Sequence, residues 1–220
     1  MVQAISSHLE SIEVRAGAVA LKGDLAVPED ARALVIFAHG SGSGRASPRN
    51  RAVAGSLNAG GLATLLVDLL TPGEREIDDR TMRLRFDIPL LANRVIGAID
   101  WAGSQEDLAR MQVGLYGAST GAAAAIVAAA QRADRVGAIV SRGGRPDLAA
   151  EALPNVKAPL LLIVGSLDGQ VINLNRYAQG FLHCENRLEI VPGTGHLFEE
   201  PGKIEEVSRL AGEWFRRHLA

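Results

Sequence analysis

Residues 111–121 read Met-Gln-Val-Gly-Leu-Tyr-Gly-Ala-Ser-Thr-Gly, and an alanine-rich stretch, AAAAIVAAA, follows from Ala122. The apolar run at residues 113–116 is typical of a buried strand, and the alanines favour a helix. Between them stands Gly-x-Ser-x-Gly, with Ser119 at its centre. Glycines two residues before and after the serine fit where a strand and the helix behind it approach too closely for side chains. The stretch therefore predicts a tight strand-turn-helix unit with Ser119 at its tip.

A serine at the tip of such a turn is the nucleophile of many acyl-transfer enzymes, and the unit is called a nucleophile elbow. The helix that begins at Thr120 directs free N–H groups and the positive end of its dipole toward whatever Ser119 attacks. A glycine-punctuated turn before a buried helix has the same five letters, so the interpretation depends on what else the chain supplies.

The composition is that of an ordinary globular chain. It has 220 residues, 47% of them hydrophobic, which suffices for a sizeable core, and we predict one domain over residues 1–220. The 23 Lys and Arg against 25 Asp and Glu give a net charge of −2, without a general attraction for nucleic acid or an anionic membrane. Residues 1–15 lack the apolar core of a secretory signal, and the single cysteine, Cys184, suits a reducing compartment. We therefore expect a cytoplasmic protein with neither nucleic-acid nor membrane partners.

Apolar runs and amphipathic runs alternate along the chain. A half-exposed antiparallel hairpin is predicted over residues 10–26, and continuous apolar runs predict strands buried on both faces. These strands cover residues 33–38, 62–70, 113–116, 136–140, 159–165 and 188–191, with helices between them and an amphipathic helix at the end. The pattern predicts an α/β fold: about eight strands in a mostly parallel sheet, an antiparallel N-terminal edge, and helices on both faces.

The segment around residues 71–102 is the least regular part of this pattern. Residues 74–80 are strongly charged and are predicted as a solvated loop after Pro72-Gly73. A long helix is predicted from Thr81 to about Ala102. Pro89 should kink or break that helix, or mark its true first turn.

Chemistry-bearing residues follow directly after several predicted strands, where open parallel sheets bind their ligands. Ser119, Asp168 and His196 each come after a different strand, in the order Ser, Asp, His. A serine hydroxyl hardly ionises at neutral pH, so it needs an imidazole to take its proton and a carboxylate to fix the tautomer of that imidazole. The sequence therefore predicts a catalytic triad with His196 as base and Asp168 as its orienting acid.

The first central strand ends in a glycine-rich loop, HGSGSG, at residues 39–44. Neither a dinucleotide fingerprint nor a P-loop fits, because no glycine stands three residues after Gly42 and no lysine follows. A His-Gly loop at this place supplies an oxyanion N–H in acyl-transfer enzymes. We predict an oxyanion hole formed by the N–H groups of Ser41 and Thr120, with Gly42 as the neighbouring alternative to Ser41. His39 and Gly42 are also candidate substrate contacts, although a structural role in the loop is the simpler reading of His39.

Arginines give the only indication of the substrate. Arg142 and Arg145 follow a predicted strand, and Arg83 and Arg85 stand near the start of the predicted long helix. A guanidinium that faces the pocket would favour an ester bearing a carboxylate or phosphate, so Arg142 is a candidate substrate contact. The simpler alternative is that Arg142 and Arg145 brace their own loop, for example against Asp147.

The motifs GASTGAAAA, VSRGGRPDLA and PGTGHLFEEPG, with HGSGSG and VGSLD, resemble the α/β-hydrolase superfamily and its dienelactone-hydrolase-like branch. The resemblance covers nearly the whole chain and implies hydrolysis of a small-molecule ester or lactone with no metal and no organic cofactor. It also implies association with a phosphoribosyltransferase-like protein, because the motifs resemble a bacterial group found fused or adjacent to such domains. Dienelactone hydrolases carry a cysteine nucleophile, whereas Ser119 stands at the matching position here. The resemblance therefore supports the fold and the triad better than it supports dienelactone as the substrate.

Only a short segment separates the strands predicted at residues 136–140 and 159–165, so we expect no large lid and a small, open pocket. Two alternatives to hydrolysis stay open. The same triad could pass the acyl group to an acceptor other than water or form peracids, and a catalytically silent binding module is the other alternative. The intact Ser-Asp-His set counts against the second.

Overall fold

The computed structural model describes residues 9–219 and is built on a sheet of eight strands in the order β1-β2-β4-β3-β5-β6-β7-β8. β1 (Leu9–Ala16) and β2 (Val19–Ala26) form an antiparallel hairpin, β2 pairs antiparallel with β4 (Ala63–Val67), and the other neighbours are parallel. The remaining strands are β3 (Ala33–Ala38), β5 (Gln112–Ala118), β6 (Val136–Arg142), β7 (Leu160–Gly165) and β8 (Asn186–Val191). The predicted mostly parallel sheet with its antiparallel N-terminal edge is confirmed. Residues 1–8, which include part of the segment predicted to lack a secretory signal, lie outside the described range.

Helices cover both faces of the sheet. They are α1 (Pro48–Ala59), α2 (Pro72–Thr81), α3 (Ile88–Ser104), α4 (Thr120–Gln131), α5 (Gly169–Gln179) and α6 (Lys203–His218). The apolar residues of α1 and α6 form a core with one face, and those of α3 and α4 form a core with the other. Every residue of β3, β4 and β7 is buried, as continuous apolar runs predict for strands covered on both sides.

The prediction of a loop over residues 74–80 is wrong, because this segment lies within α2. Thr71 and Glu74 form a capping box: the Glu74 N–H donates to Thr71 Oγ1 over 3.3 Å, and the Thr71 N–H donates to Glu74 Oε2 over 2.8 Å. Pro72 occupies the first turn, where its missing N–H is not needed. A reciprocal cap can therefore begin a helix that has almost no apolar face.

The helix predicted from Thr81 begins only at Ile88. Pro89 lies in its first turn, which is the second of the two alternatives considered for that proline. The Asp87 carboxylate accepts from the Leu90 N–H over 3.0 Å and caps the helix.

The connection between β6 and β7 contains two short 3₁₀ turns, Pro146–Ala149 and Leu153–Asn155, and the described residues form no large lid, as predicted. None of the helices between residues 9 and 219 combines the length and the apolar character needed to cross a bilayer.

Candidate active site

Ser119 lies at the sharp turn between β5 and α4, with φ 51° and ψ −120°. Positive φ is costly for a residue that carries a Cβ, so the surrounding packing must hold it there. A Cβ on Gly117 would lie 2.3 Å from Ala122 Cα, and one on Gly121 would lie 2.2 Å from the Ala38 oxygen. Both are backbone contacts that cannot yield easily. The two glycines therefore have the close-packing role that the sequence predicts for them.

Ser119 and Asp168 both occupy N-cap positions, at the starts of α4 and α5. Serine and aspartate are among the residues that commonly cap helices by accepting a hydrogen bond from the first turn. Neither side chain does so here. The hydroxyl and the carboxylate are therefore available for other partners.

Asp168 uses its free carboxylate to hold His196. The His196 Nδ1 and Asp168 Oδ2 atoms are 2.7 Å apart, and the two side chains are 38% and 16% exposed. A proton on Nδ1 donates to the carboxylate, which leaves Nε2 as the ring nitrogen that can accept. Within the described residues the ring makes this one hydrogen bond and none to the Ser119 hydroxyl. Such contacts often tighten only when substrate is bound.

Glu200 fixes the loop that carries His196. Its Oε1 accepts from the Gly195 N–H over 3.2 Å, and its other oxygen accepts from the Thr194 hydroxyl. The hydrogen bond from Thr194, with the others to this carboxylate, lowers the pKa of Glu200. Sequence analysis did not identify Glu200; the available signal was an acidic residue four positions after the histidine in the same loop.

The last residue of β6 and the loop after it lie against both Ser119 and His196. The Ser119 N–H donates to the Arg142 oxygen over 3.2 Å, and the Arg145 N–H donates to the Ser119 oxygen over 3.1 Å. A Cβ placed on Gly143 would lie 3.3 Å from His196 Cε1. The backbone of this one loop thus positions the elbow and supports the imidazole.

Residues 40–43 form the turn that sequence analysis assigns to the oxyanion hole. The Ser43 N–H donates to the Gly40 oxygen over 3.2 Å. Gly42 is the third residue of the turn and has φ 68°, as a type II turn requires at that position. A Cβ on Gly40 would lie 3.1 Å from Ser119 Cβ, so the turn lies directly against the elbow. The Ser41 N–H has no acceptor among the described residues. Thr120 is the first residue of α4, so its N–H has no acceptor within the helix.

In a comparison with known protein families, residues 21–219 match the model of the dienelactone hydrolase family. The chain belongs to that family. A dienelactone hydrolase from Anabaena variabilis ATCC 29413 has 55% sequence identity and a TM-score of 0.96, over 97% of this chain and 99% of that one. Est1E from Butyrivibrio proteoclasticus has 16% identity and a TM-score of 0.78, over 94% of this chain and 98% of that one, which shows the fold alone. The predicted α/β-hydrolase fold and the dienelactone-hydrolase-like resemblance are confirmed.

A longer relative of this chain comes from Mycobacterium tuberculosis strain H37Rv and is named as a phosphoribosyl transferase. It is 53% identical over 210 residues, which are 96% of this chain and 46% of that protein. The chain therefore spans about half the length of the curated relative that it matches.

Of the candidate substrate contacts in this family member, His39 is engaged by the backbone. Its Nε2 accepts from the Leu69 N–H and its Nδ1 donates to the Gly40 oxygen, each over 2.9 Å. Burial lowers the pKa of His39, which favours the neutral ring that this pair of bonds requires. His39 therefore has no free ring nitrogen for a substrate.

The Arg142 side chain is buried. It is 6% exposed, and its guanidinium carbon lies 5.8 Å from the centre of the Phe198 ring. Arg145 braces its own loop, as the simpler alternative predicts, with bonds of 2.8 and 2.7 Å to the Asp147 carboxylate.

Arg85 faces the oxyanion turn. Its Nη1 would lie 3.5 Å from a Cβ on Gly42. The Asp78 carboxylate holds it from behind, accepting from its Nε over 2.7 Å and from its backbone N–H over 2.9 Å. Arg85, Gly42 and Thr120 line the same small cleft. Between residues 9 and 219, no three His, Cys, Asp or Glu side chains are grouped for metal binding.

Proposed function

We propose that this chain hydrolyses small carboxylic esters or lactones through an acyl-enzyme on Ser119. Two observations carry the proposal. The side chains of Ser119 and Asp168 stand at N-cap positions but do not cap their helices, and His196 Nδ1 lies 2.7 Å from Asp168 Oδ2. A merely structural serine and aspartate at these positions would be expected to cap their helices.

The proposed reaction gives each of these groups one role. As Ser119 Oγ bonds to the carbonyl carbon, its proton passes to His196 Nε2, and Asp168 stabilises the resulting imidazolium through Nδ1–H. The N–H groups of Ser41 and Thr120 donate to the developing oxyanion. His196 then returns the proton to the leaving alcohol. Water repeats the sequence on the acyl-enzyme, so that the products are one acid and one alcohol, or one hydroxy acid from a lactone.

Arg85 supports a more specific proposal about the substrate. Its guanidinium is fixed by Asp78, and its Nη1 is directed toward the oxyanion turn. A fixed guanidinium favours a planar anion, so we propose a substrate with a carboxylate close to the scissile bond. Arg85→Gln should raise KM for an ester that bears a carboxylate and leave KM for its neutral counterpart unchanged. Equal effects on both esters would contradict this proposal.

The experiment that tests the central proposal is labelling with a fluorophosphonate probe, followed by turnover of a short-chain aryl ester. Wild type should label and turn over, and Ser119→Ala should lose the label and about four to six orders of magnitude in kcat. Ser56→Ala, at an exposed position of α1, is the matched control and should behave as wild type. A folded wild type that neither labels nor turns over would instead favour a binding module. Turnover only in the presence of a second alcohol or of peroxide would favour acyl transfer or peracid formation.

We also propose that the chain associates with a phosphoribosyltransferase-like protein. Its M. tuberculosis relative carries that name and is matched over only 46% of its length. Co-expression of this chain with the unmatched part of that relative should give one complex in size-exclusion chromatography. Separate elution of the two polypeptides would contradict the association.

A further inference from the structure

Residues 44 and 45, which follow the oxyanion turn (residues 40–43), are held by the carboxylate of Asp68. Asp68 follows directly after β4, and its Oδ1 accepts from the Arg45 N–H over 2.8 Å while its Oδ2 accepts from Arg45 Nη1 over 2.6 Å. A Cβ on Gly44 would lie 2.6 Å from Asp68 Oδ1, so a side chain at position 44 would have to displace this carboxylate. Residues 44 and 45 therefore have a fixed position relative to the end of β4.

Arg75 extends this attachment to the turn itself. Its Nη1 donates to the Ser43 oxygen over 3.0 Å, and its Nη2 lies 3.7 Å from Asp68 Oδ1. Ser43 is the last residue of the turn, and its own N–H closes that turn. Asp68 thus holds the backbone two residues after the turn through Arg45, and Arg75 connects its carboxylate to the last residue of the turn.

The first residue of the turn, Gly40, is connected to Leu69, which follows Asp68 after the end of β4. The His39 ring joins the Gly40 oxygen to the Leu69 N–H. The first residue of the turn is therefore connected to Leu69 through the His39 ring, and the last residue is connected to Asp68 through Arg75. Ser41 and its N–H lie between these two attachments.

We infer that Asp68 is a positioning residue that sets the direction of the Ser41 N–H in the oxyanion hole. This inference rests on the proposed function. Oxyanion donors stabilise charge that develops only in the transition state, so a displaced donor lowers kcat and leaves KM nearly unchanged. A carboxylate needed only for folding would instead lower thermal stability without such a split.

Asp68→Asn is the variant that tests the inference, because it preserves the volume of the side chain and replaces one accepting oxygen with an amide that cannot accept from Arg45. Loss of one oxyanion donor costs about a hundred- to a thousandfold in kcat, and a loosened donor should cost less. We expect kcat to fall about ten- to a hundredfold, with KM within about twofold of wild type.

Asp100→Asn is the matched control. The Asp100 carboxylate accepts two hydrogen bonds from Arg132, of 2.8 and 2.7 Å, at the protein surface. The control should retain the wild-type kcat. A trifluoromethyl ketone gives a second readout, because its adduct with the serine carries an oxyanion; its inhibition constant should rise with the fall in kcat for Asp68→Asn alone.

The inference is overturned if Asp68→Asn matches Asp100→Asn in both kcat and inhibitor affinity. If Asp68→Asn does not fold, Arg75→Met provides the test, because it removes the bond to the Ser43 oxygen and leaves Arg45 on Asp68. A labelled wild type with unaffected variants overturns this inference alone. A wild type that fails to label overturns the proposed hydrolase together with it.

Discussion

Gly143 gives the sharpest test of how His196, the proposed base, is supported. It has φ 51°, and a Cβ added there would lie 3.2 Å from the His196 oxygen, 3.3 Å from Cε1 and 3.4 Å from Nδ1. These distances are shorter than ordinary contacts between carbon atoms, so Gly143→Ala must displace the imidazole by a few tenths of an ångström. Displacement by about 1 Å can cost about a hundredfold in rate, so we expect kcat to fall roughly three- to tenfold.

Alanine at positive φ also carries a backbone cost of about 1–2 kcal/mol wherever it is placed. Gly17→Ala separates this cost from the steric effect, because Gly17 has φ 64° in the β1–β2 hairpin and its Cβ would have no atom of residues 9–219 within 4 Å. Both variants should lose about 2–8 °C in Tm, since each kcal/mol corresponds to about 2–4 °C in a protein of this size.

The assay is kcat with a short-chain aryl ester, with Tm from differential scanning fluorimetry on the same samples. The expected result is a fall in kcat for Gly143→Ala and none for Gly17→Ala, at similar losses of Tm. Equal kcat values in the two variants would refute the reasoning, because the position of the His196 ring would then not depend on its contact with this loop.

Three further predictions concern the triad, the elbow and the turn. Asp168→Asn should keep the fold and lower kcat by about 10⁴, because the amide no longer selects the tautomer of His196; steady-state kinetics and circular dichroism check this, and a near-normal kcat would remove Asp168 from the mechanism. Gly121→Ala should lower the free energy of unfolding by about 1–3 kcal/mol or more through backbone contacts, whereas Gly55→Ala, exposed in α1, should raise it by about 0.5–1 kcal/mol; urea unfolding measures both, and equal signs would contradict the packing argument. Because the pKa of His39 is lowered in the folded state, the unfolded chain takes up this proton at a higher pH than the folded chain does. This contribution to stability is therefore complete above the ordinary pKa of 6.5 and declines as pH falls below it. His39→Asn should reduce the slope of the unfolding free energy against pH between pH 5 and 7, and an unchanged slope would contradict this prediction.

The sheet could be predicted from the sequence because its strands are continuous apolar runs, each ended by glycine or polar residues. The same rule placed Ser119, Asp168 and His196 at one edge, and the 2.7 Å contact between two of them agrees with that placement. The same rule could also have indicated Asp68, which follows directly after β4, but the predicted strand ran to residue 70 and included it.

The remaining features depend on signals that a periodic pattern does not carry. α2 has almost no apolar face, and its start is encoded by Thr71 and Glu74 alone, a reciprocal cap that the surrounding charges obscured. The pairing of Arg145 with Asp147 is local in sequence and was anticipated. Arg45 reaches Asp68 across 23 positions, and nothing local in the sequence indicates which carboxylate an arginine will find.

Arg45 has a second carboxylate partner, and its location gives the antiparallel edge another role. Asp24 of β2 is 2% exposed and accepts from Arg45 Nε over 3.1 Å. Edge hairpins are usually where a fold tolerates truncation and exchange most easily. In this chain the hairpin supplies a buried anchor for the segment that follows residues 40–43. Replacing the edge while keeping its hydrophobic pattern should therefore preserve the sheet and still slow the proposed reaction, unless an acceptor is kept at position 24.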